Sequence, residues 1–235
     1  MRYAGCLLAL TMLAACGGGA PTPTPAPAPT PTPAPTPAAL PAPTNVVVFV
    51  IDDLPVYEAA CMPGNKVRHD TPTINALAAQ SLVLDDYHTT TQVCTPSRYT
   101  LLTGKYASES QAKNMLYRNG VEGLAVPDFA SQIAAGEMTL PKRMQALGFR
   151  TGFTGKDHVA ENLAEIAIPN NSSINDPGVQ DTLNANLKSE TAALQNLGFD
   201  EVYAPSPSNP AELPVTELRA HNVDWAVDGG LQFIN

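Results

Sequence analysis

Residues 20–43 alternate proline with alanine and threonine, placing 11 prolines in 24 positions, and this stretch limits where the chain can fold. Nearly every second residue lacks an amide hydrogen and apolar bulk is almost absent, so no ladder, helix or core forms there. The composition favours a polyproline II path at about 3.1 Å per residue, a stalk of up to about 75 Å. A ligand for a proline-reading module is the alternative, and it suits a cell envelope less well. Folding is therefore expected after residue 44, where residues 45–235 suffice for one sizeable core or two small ones.

The stretch before the stalk reads as an address. Arg2 supplies a minimal positive start, and 6–15 is an apolar run. It is too short to cross a bilayer as a helix, which takes about 20 residues. The run ends in Leu13-Ala14-Ala15-Cys16, which resembles a bacterial lipobox. The resemblance implies cleavage before Cys16 and lipid on its thiol and new amine, with Gly17 favouring the outer membrane. An ordinary signal peptide with a chance cysteine is the alternative. The expected organisation is a lipoprotein signal peptide over 1–15, a lipidated Cys16 and linker over 16–44, and a folded region over 45–235. The protein would then sit lipid-anchored in the cell envelope, facing the periplasm or the surface.

Composition removes several function classes. The chain carries 22 acidic against 13 basic residues, a formal charge of −9, with no Lys/Arg patch to neutralise phosphates, so a nucleic-acid partner is excluded. Four cysteines exclude a disulfide-built miniprotein, and a 44% hydrophobic share excludes wholesale disorder. In the folded part, 45–51 (NVVVFVI) is a continuous β-branched run that predicts a strand buried on both faces. A short helical pattern at 73–80 is followed by a strand candidate at 81–87. Thr95 and Pro96 read as the N-cap and first residue of a helix. A further helix at 140–147 stops at Gly148, a strand follows at 150–154, 168–186 reads as a polar surface insertion, and 222–235 is helix-like. This rhythm predicts an α/β fold with a mostly parallel central sheet flanked by helices.

Open α/β sheets place ligands beyond the carboxyl ends of their strands. The first predicted strand ends in Asp52-Asp53, whose adjacent carboxylates suit a hard divalent cation, although taken alone they are better explained as an acidic turn or cap. The segment from Cys94 through Thr95-Pro96-Ser97-Arg98 to Leu101-Leu102-Thr103-Gly104 carries more information. It resembles the sulfatase signature, C-x-P-S-R followed by two apolar residues and Thr-Gly. The resemblance implies that a separate maturation enzyme oxidises Cys94 to formylglycine. A helix start beside residue 94 would turn free N–H groups toward an anion, and Arg98 would lie one turn along on the same side. Gly155-Lys156-Asp157-His158 resembles the second sulfatase motif, implying that Lys156 binds sulfate oxygens and His158 contacts formylglycine or substrate. The stretches 70–78, 139–151 and 198–200 resemble further family segments in the expected order.

By this resemblance Cys94, Arg98, Lys156 and His158 are catalytic, and Asp52, Asp53 and residue 94 hold Ca2+, or alternatively Mg2+. The implied partners are a sulfate ester, the maturation enzyme and a membrane, and the implied activity is sulfuric ester hydrolysis. A catalytically inactive sulfatase-like envelope lipoprotein is the rival reading; a phosphoesterase of the same superfamily is weaker, since those usually place Ser or Thr at the nucleophile. Asp157 stands where the family usually has an aromatic residue, and pairing with Lys156 would weaken the lysine's role. Phe149 and Thr154 depart similarly from the usual Tyr and small apolar residue. A phosphate-loop reading of 152–156 fails, because position 150 is Arg and no Ser or Thr follows Lys156. His69, His88 and His221 read as surface or turn residues, and Cys61 is left unpaired unless it joins Cys94. No second acidic metal pair follows Asp200, so 45–235 is expected to be the N-terminal part of such a domain, with its sheet incomplete at the C-terminal side.

Overall fold

A computed structural model describes residues 45–62, 64, 66, 71–123, 125–219 and 223–234. The chain divides into two units between residues 49 and 50. Within the larger unit the regular elements are α1 (Pro72–Ala78), α2 (Cys94–Thr103), α3 (Lys113–Glu122), α4 (Leu140–Ala146), β1 (Gly152–Lys156), α5 (Val179–Asn196), β2 (Glu201–Ser206) and α6 (Val223–Ile234). No described helix is long and apolar enough to cross a membrane.

The strands β1 and β2 pair in parallel, with Phe153 opposite Val202 and Lys156 opposite Ser206. Parallel neighbours need a long crossover, and α5 lies within it. The register slips between Thr154 and Gly155, where Ala204 takes a φ of 45° and Gly155 a φ of 91°. Alternation sorts the two faces of the sheet. Phe153 and Val202 pack on a core of Tyr99, Ile133, Val159, Leu194, Leu197 and Phe199, which joins α2 and α5. Gly152 and Thr154 point the other way, toward α6: Thr154 Oγ1 donates to the Ala226 carbonyl at 2.7 Å, and Arg150 lies 5.3 Å over the Phe233 ring. The result is a small parallel sheet with helices on both faces, the α/β architecture expected.

Local signals that concern one helix or turn hold well. The helix at 140–147 is α4, with Thr139 capping through Lys142 N and Gly148 at a φ of 87°. Long-range expectations fare worse. The run 45–51 is irregular and exposed, with Phe49 85% accessible, and enters no ladder among the described residues. The candidate at 81–87 is likewise irregular and exposed. A β-branched run becomes a buried strand only if neighbouring strands supply hydrogen bonds, and the described sheet has two strands. The polar stretch 168–186 is not all insertion, since α5 begins at Val179 after Gly178 at a φ of 78°.

Candidate active site

The start of α2 and the carboxyl end of β1 meet at the sequence-predicted residues. Val93, extended at φ −94°, is the N-cap, Cys94 is the first helical residue, and Ser97 N closes the first turn onto the Val93 carbonyl at 3.1 Å. The helix thus begins earlier than the Thr95–Pro96 reading predicts. Thr95 is fully buried and spends its hydroxyl on the His158 carbonyl at 2.8 Å, so it ties two motifs together rather than capping its own helix. Cys94 remains a half-buried free thiol, as does Cys61, and the two form no disulfide.

Arg98 and Lys156 converge on Asp52. Arg98 Nη1 donates to the Lys156 carbonyl at 2.6 Å and Nη2 to Asp52 Oδ1 at 3.1 Å. Lys156 Nζ donates to Asp52 Oδ2 at 2.5 Å and to Asn209 Oδ1 at 2.6 Å. The side chains of Arg98 and Lys156 are 12% and 13% exposed, so both cations are held in place rather than swinging in water. Burial alone would raise the Asp52 pKa, but hydrogen bonds and charge from Lys156 and Arg98 outweigh it and hold the carboxyl below its ordinary range. Asp53 follows at a φ of 54°, exposed.

Asp157 does not pair with Lys156. It is 2% exposed, and its Oδ1 accepts from Val159 N at 2.9 Å and Ala160 N at 3.0 Å, closing the turn after His158. That turn holds His158 at a φ of 48°, with its ring stacked 5.1 Å from Phe129 and Nδ1 buried without a hydrogen-bond partner. Burial and the Lys156 charge push the imidazole pKa down, against smaller opposing effects of Glu212 and Asp157, so the ring favours its neutral form. A cleft of about 300 Å³ opens beside it, lined among others by Phe129, Glu165, Glu190 and Glu212. Asn209, Phe129 and Glu190 carried no signal in the sequence, because their partners lie far off along the chain. His88 is exposed and 2.9 Å from Asp86; Cys16, His69 and His221 lie outside the described residues.

A helix start, a free thiol and two fixed cations beyond the end of a parallel strand are suited to chemistry on a tetrahedral oxyanion ester. The sulfatase family profile matches residues 44–210, and the chain belongs to that family. Arylsulfatase H of Canis lupus familiaris is 35% identical over 114 residues, 48% of this chain and 20% of that protein. Arylsulfatase A of Homo sapiens is 31% identical over 122 residues, 52% and 22% of the two chains. The ulvan-active sulfatase of Formosa agariphila is 29% identical over 115 residues, 49% and 20%. The match therefore spans about a fifth of the length of these curated relatives.

Sulfatases depend in general on formylglycine and a divalent metal. Residue 94 fits the first requirement, being an unpaired thiol at a helix start. The second is not met by the described donors. Both Asp52 oxygens already face cationic side chains, and no group of three His, Cys, Asp or Glu able to hold a metal occurs among the described residues. Ca2+ takes 6–8 oxygens, and this arrangement falls well short of that.

Proposed function

We propose that this chain carries the nucleophile and sulfate-recognition half of a sulfatase active site acting on a sulfate ester. One observation carries the reading: Arg98 and Lys156, 58 residues apart, are brought to a single carboxylate beside the start of the helix that bears Cys94. As formylglycine, residue 94 would supply a hydrated aldehyde as nucleophile toward sulfur, the S–O bond to the alcohol breaking as the new one forms and sulfate then leaving as the aldehyde returns. Arg98 and Lys156 would exchange Asp52 for the sulfuryl oxygens and stabilise the charge that builds on them. Arg98 offers a planar fork and Lys156 a point charge, so the pair would both orient the group and neutralise it. His158, neutral and half-buried, is suited to accept or return a proton on the alcohol side, where the 300 Å³ cleft opens. The relatives include an arylsulfatase and an ulvan-active sulfatase, so the substrate class proposed is a sulfate ester.

The experiment is mass spectrometry and turnover on chain co-expressed with a maturation enzyme. The peptide bearing Cys94 should lose sulfur and gain oxygen, and aryl-sulfate hydrolysis should disappear in Cys94→Ala with little loss of stability. Arg98→Ala and Lys156→Ala should each lower turnover by about 10²–10³-fold. An intact thiol with no turnover would favour the inactive-lipoprotein reading, and turnover surviving Cys94→Ala would exclude the formylglycine route.

A further inference from the structure

Asp157 and Glu190 are the two most conspicuous charges that sulfate chemistry leaves unused. They are 2% and 5% exposed, and they come from different layers, the turn after β1 and the middle of α5. Asp157 Oδ1 is consumed by the amides of Val159 and Ala160. Glu190 Oε2 accepts from Asn162 Nδ2 at 2.9 Å. Asp157 Oδ2 and Glu190 Oε1 remain, both buried, and no donor serves either while both groups are ionised. Asp157 acts directly on Glu190 and, together with burial, holds the Glu190 carboxyl toward its protonated form. Two such carboxyls can satisfy each other only with a proton between them, because an ionised carboxyl only accepts.

We propose that Glu190 donates a retained proton to Asp157 Oδ2, and that this one-proton acid pair is the positioning device for His158. His158 needs one, because a φ of 48° is costly for a residue with a Cβ and persists only where its surroundings impose it. Three contacts impose it: Thr95 Oγ1 on its carbonyl, Phe129 against its ring, and Asp157 on the two amides that follow. The first two hold the residue itself. Only the third fixes the path of the chain beyond it, and Glu190 anchors that third contact to an 18-residue helix. Neighbouring charge supports the assignment. Glu190 faces Asp157 and Glu165, with the Asn162 amide opposing them, while His158 faces Lys156, Arg98, Glu212 and Asp157. Burial first, then Asp157, pushes the Glu190 pKa up to about 9, so the pair keeps one proton at neutral pH and loses it in alkali. Two facing carboxylates would then repel each other and loosen the turn. The arrangement also accounts for an acid at position 157, since an aromatic ring there could not close that turn.

The test uses the whole chain. His158 ring resonances, assigned by their loss in His158→Gln, are followed by NMR from pH 5 to 10. A second inflection near pH 9 is expected in the wild-type chain. Glu190→Gln, which keeps an N–H donor toward Asp157, should abolish that inflection while leaving the imidazole's own midpoint in place. Glu190→Ala, which removes the donor, should move the midpoint. Infrared spectroscopy needs no variant: a protonated-carboxyl band should persist at pH 7 and vanish above pH 9. Absence of that band, or an inflection that survives Glu190→Gln, would overturn the proposal. The inference rests on the proposed function only for the use made of His158. Failed hydrolysis with an intact inflection would therefore sink the sulfatase reading and leave the acid pair standing.

Discussion

At Asp52 one carboxylate meets two cations, and whichever yields first decides how the site answers to pH and to metal. The carboxyl titrates below its ordinary 3.8 in the fold because Lys156 and Arg98 outweigh its burial. A depressed carboxyl contributes stability that is present above the unfolded value and is lost as pH falls through the folded one. Asp52→Asn should therefore flatten the acid limb of the stability curve below about pH 4, measured by thermal denaturation across pH. Its cost at pH 7 should be about 1 kcal/mol or less, since the carboxylate is one-third exposed. The same pairing predicts poor metal binding, because a divalent cation must displace an ammonium and a guanidinium. Calorimetry should find Ca2+ held no tighter than about 10⁻⁴–10⁻³ M. Tight stoichiometric binding that disappears in Asp52→Asn and Asp53→Asn would show that these residues form a sufficient site.

The elements show what close approach demands. Helix α6 rests on the sheet through Gly229, where an added Cβ would come within 2.8 Å of both Thr154 Oγ1 and Tyr203 Cβ. In an isolated helix Gly→Ala gains about 1 kcal/mol. Here overpacking against a strand should cost about 1–3 kcal/mol, so Gly229→Ala should destabilise, read as a lower denaturant midpoint. A stabilised variant would mean that α6 shifts easily on the sheet. Helix α2 teaches a related lesson. Thr-Pro is a sound local start signal, yet the helix begins at Cys94, and Thr95 bonds the His158 carbonyl instead of capping. That choice moves residue 94 from just outside the helix to its first turn.

For the molecule as a whole, the segment before residue 45 predicts an anchor. Cys16→Ala should shift the protein from the membrane to the soluble fraction and abolish lipid labelling; a variant still sedimenting with membranes would refute the assignment. What was legible without coordinates follows from the range of the forces involved. The stalk, α4 with its Thr139 cap and Gly148 stop, and the order of the sulfatase motifs are written locally, in backbone restrictions and residue types a few positions apart. The residues Cys94, Arg98, Lys156 and His158 were visible in the same way, as members of two short motifs. Their relations were not. That Asp52 sits between Arg98 and Lys156, that Asn209 holds the lysine's remaining hydrogen bond, and that Asp157 turns from Lys156 to Glu190 are contacts across 33 to 104 residues. The run at 45–51 makes the same point in reverse: six consecutive apolar residues suit a strand, but a buried strand also needs partners that no local pattern supplies. Sequence by itself determined the family and the α/β class and singled out the candidate reactive residues, because these depend on residue type and short spacing. Tertiary structure alone decided which charges neutralise one another and which carboxyl keeps its proton, because burial and through-space distance set those energies.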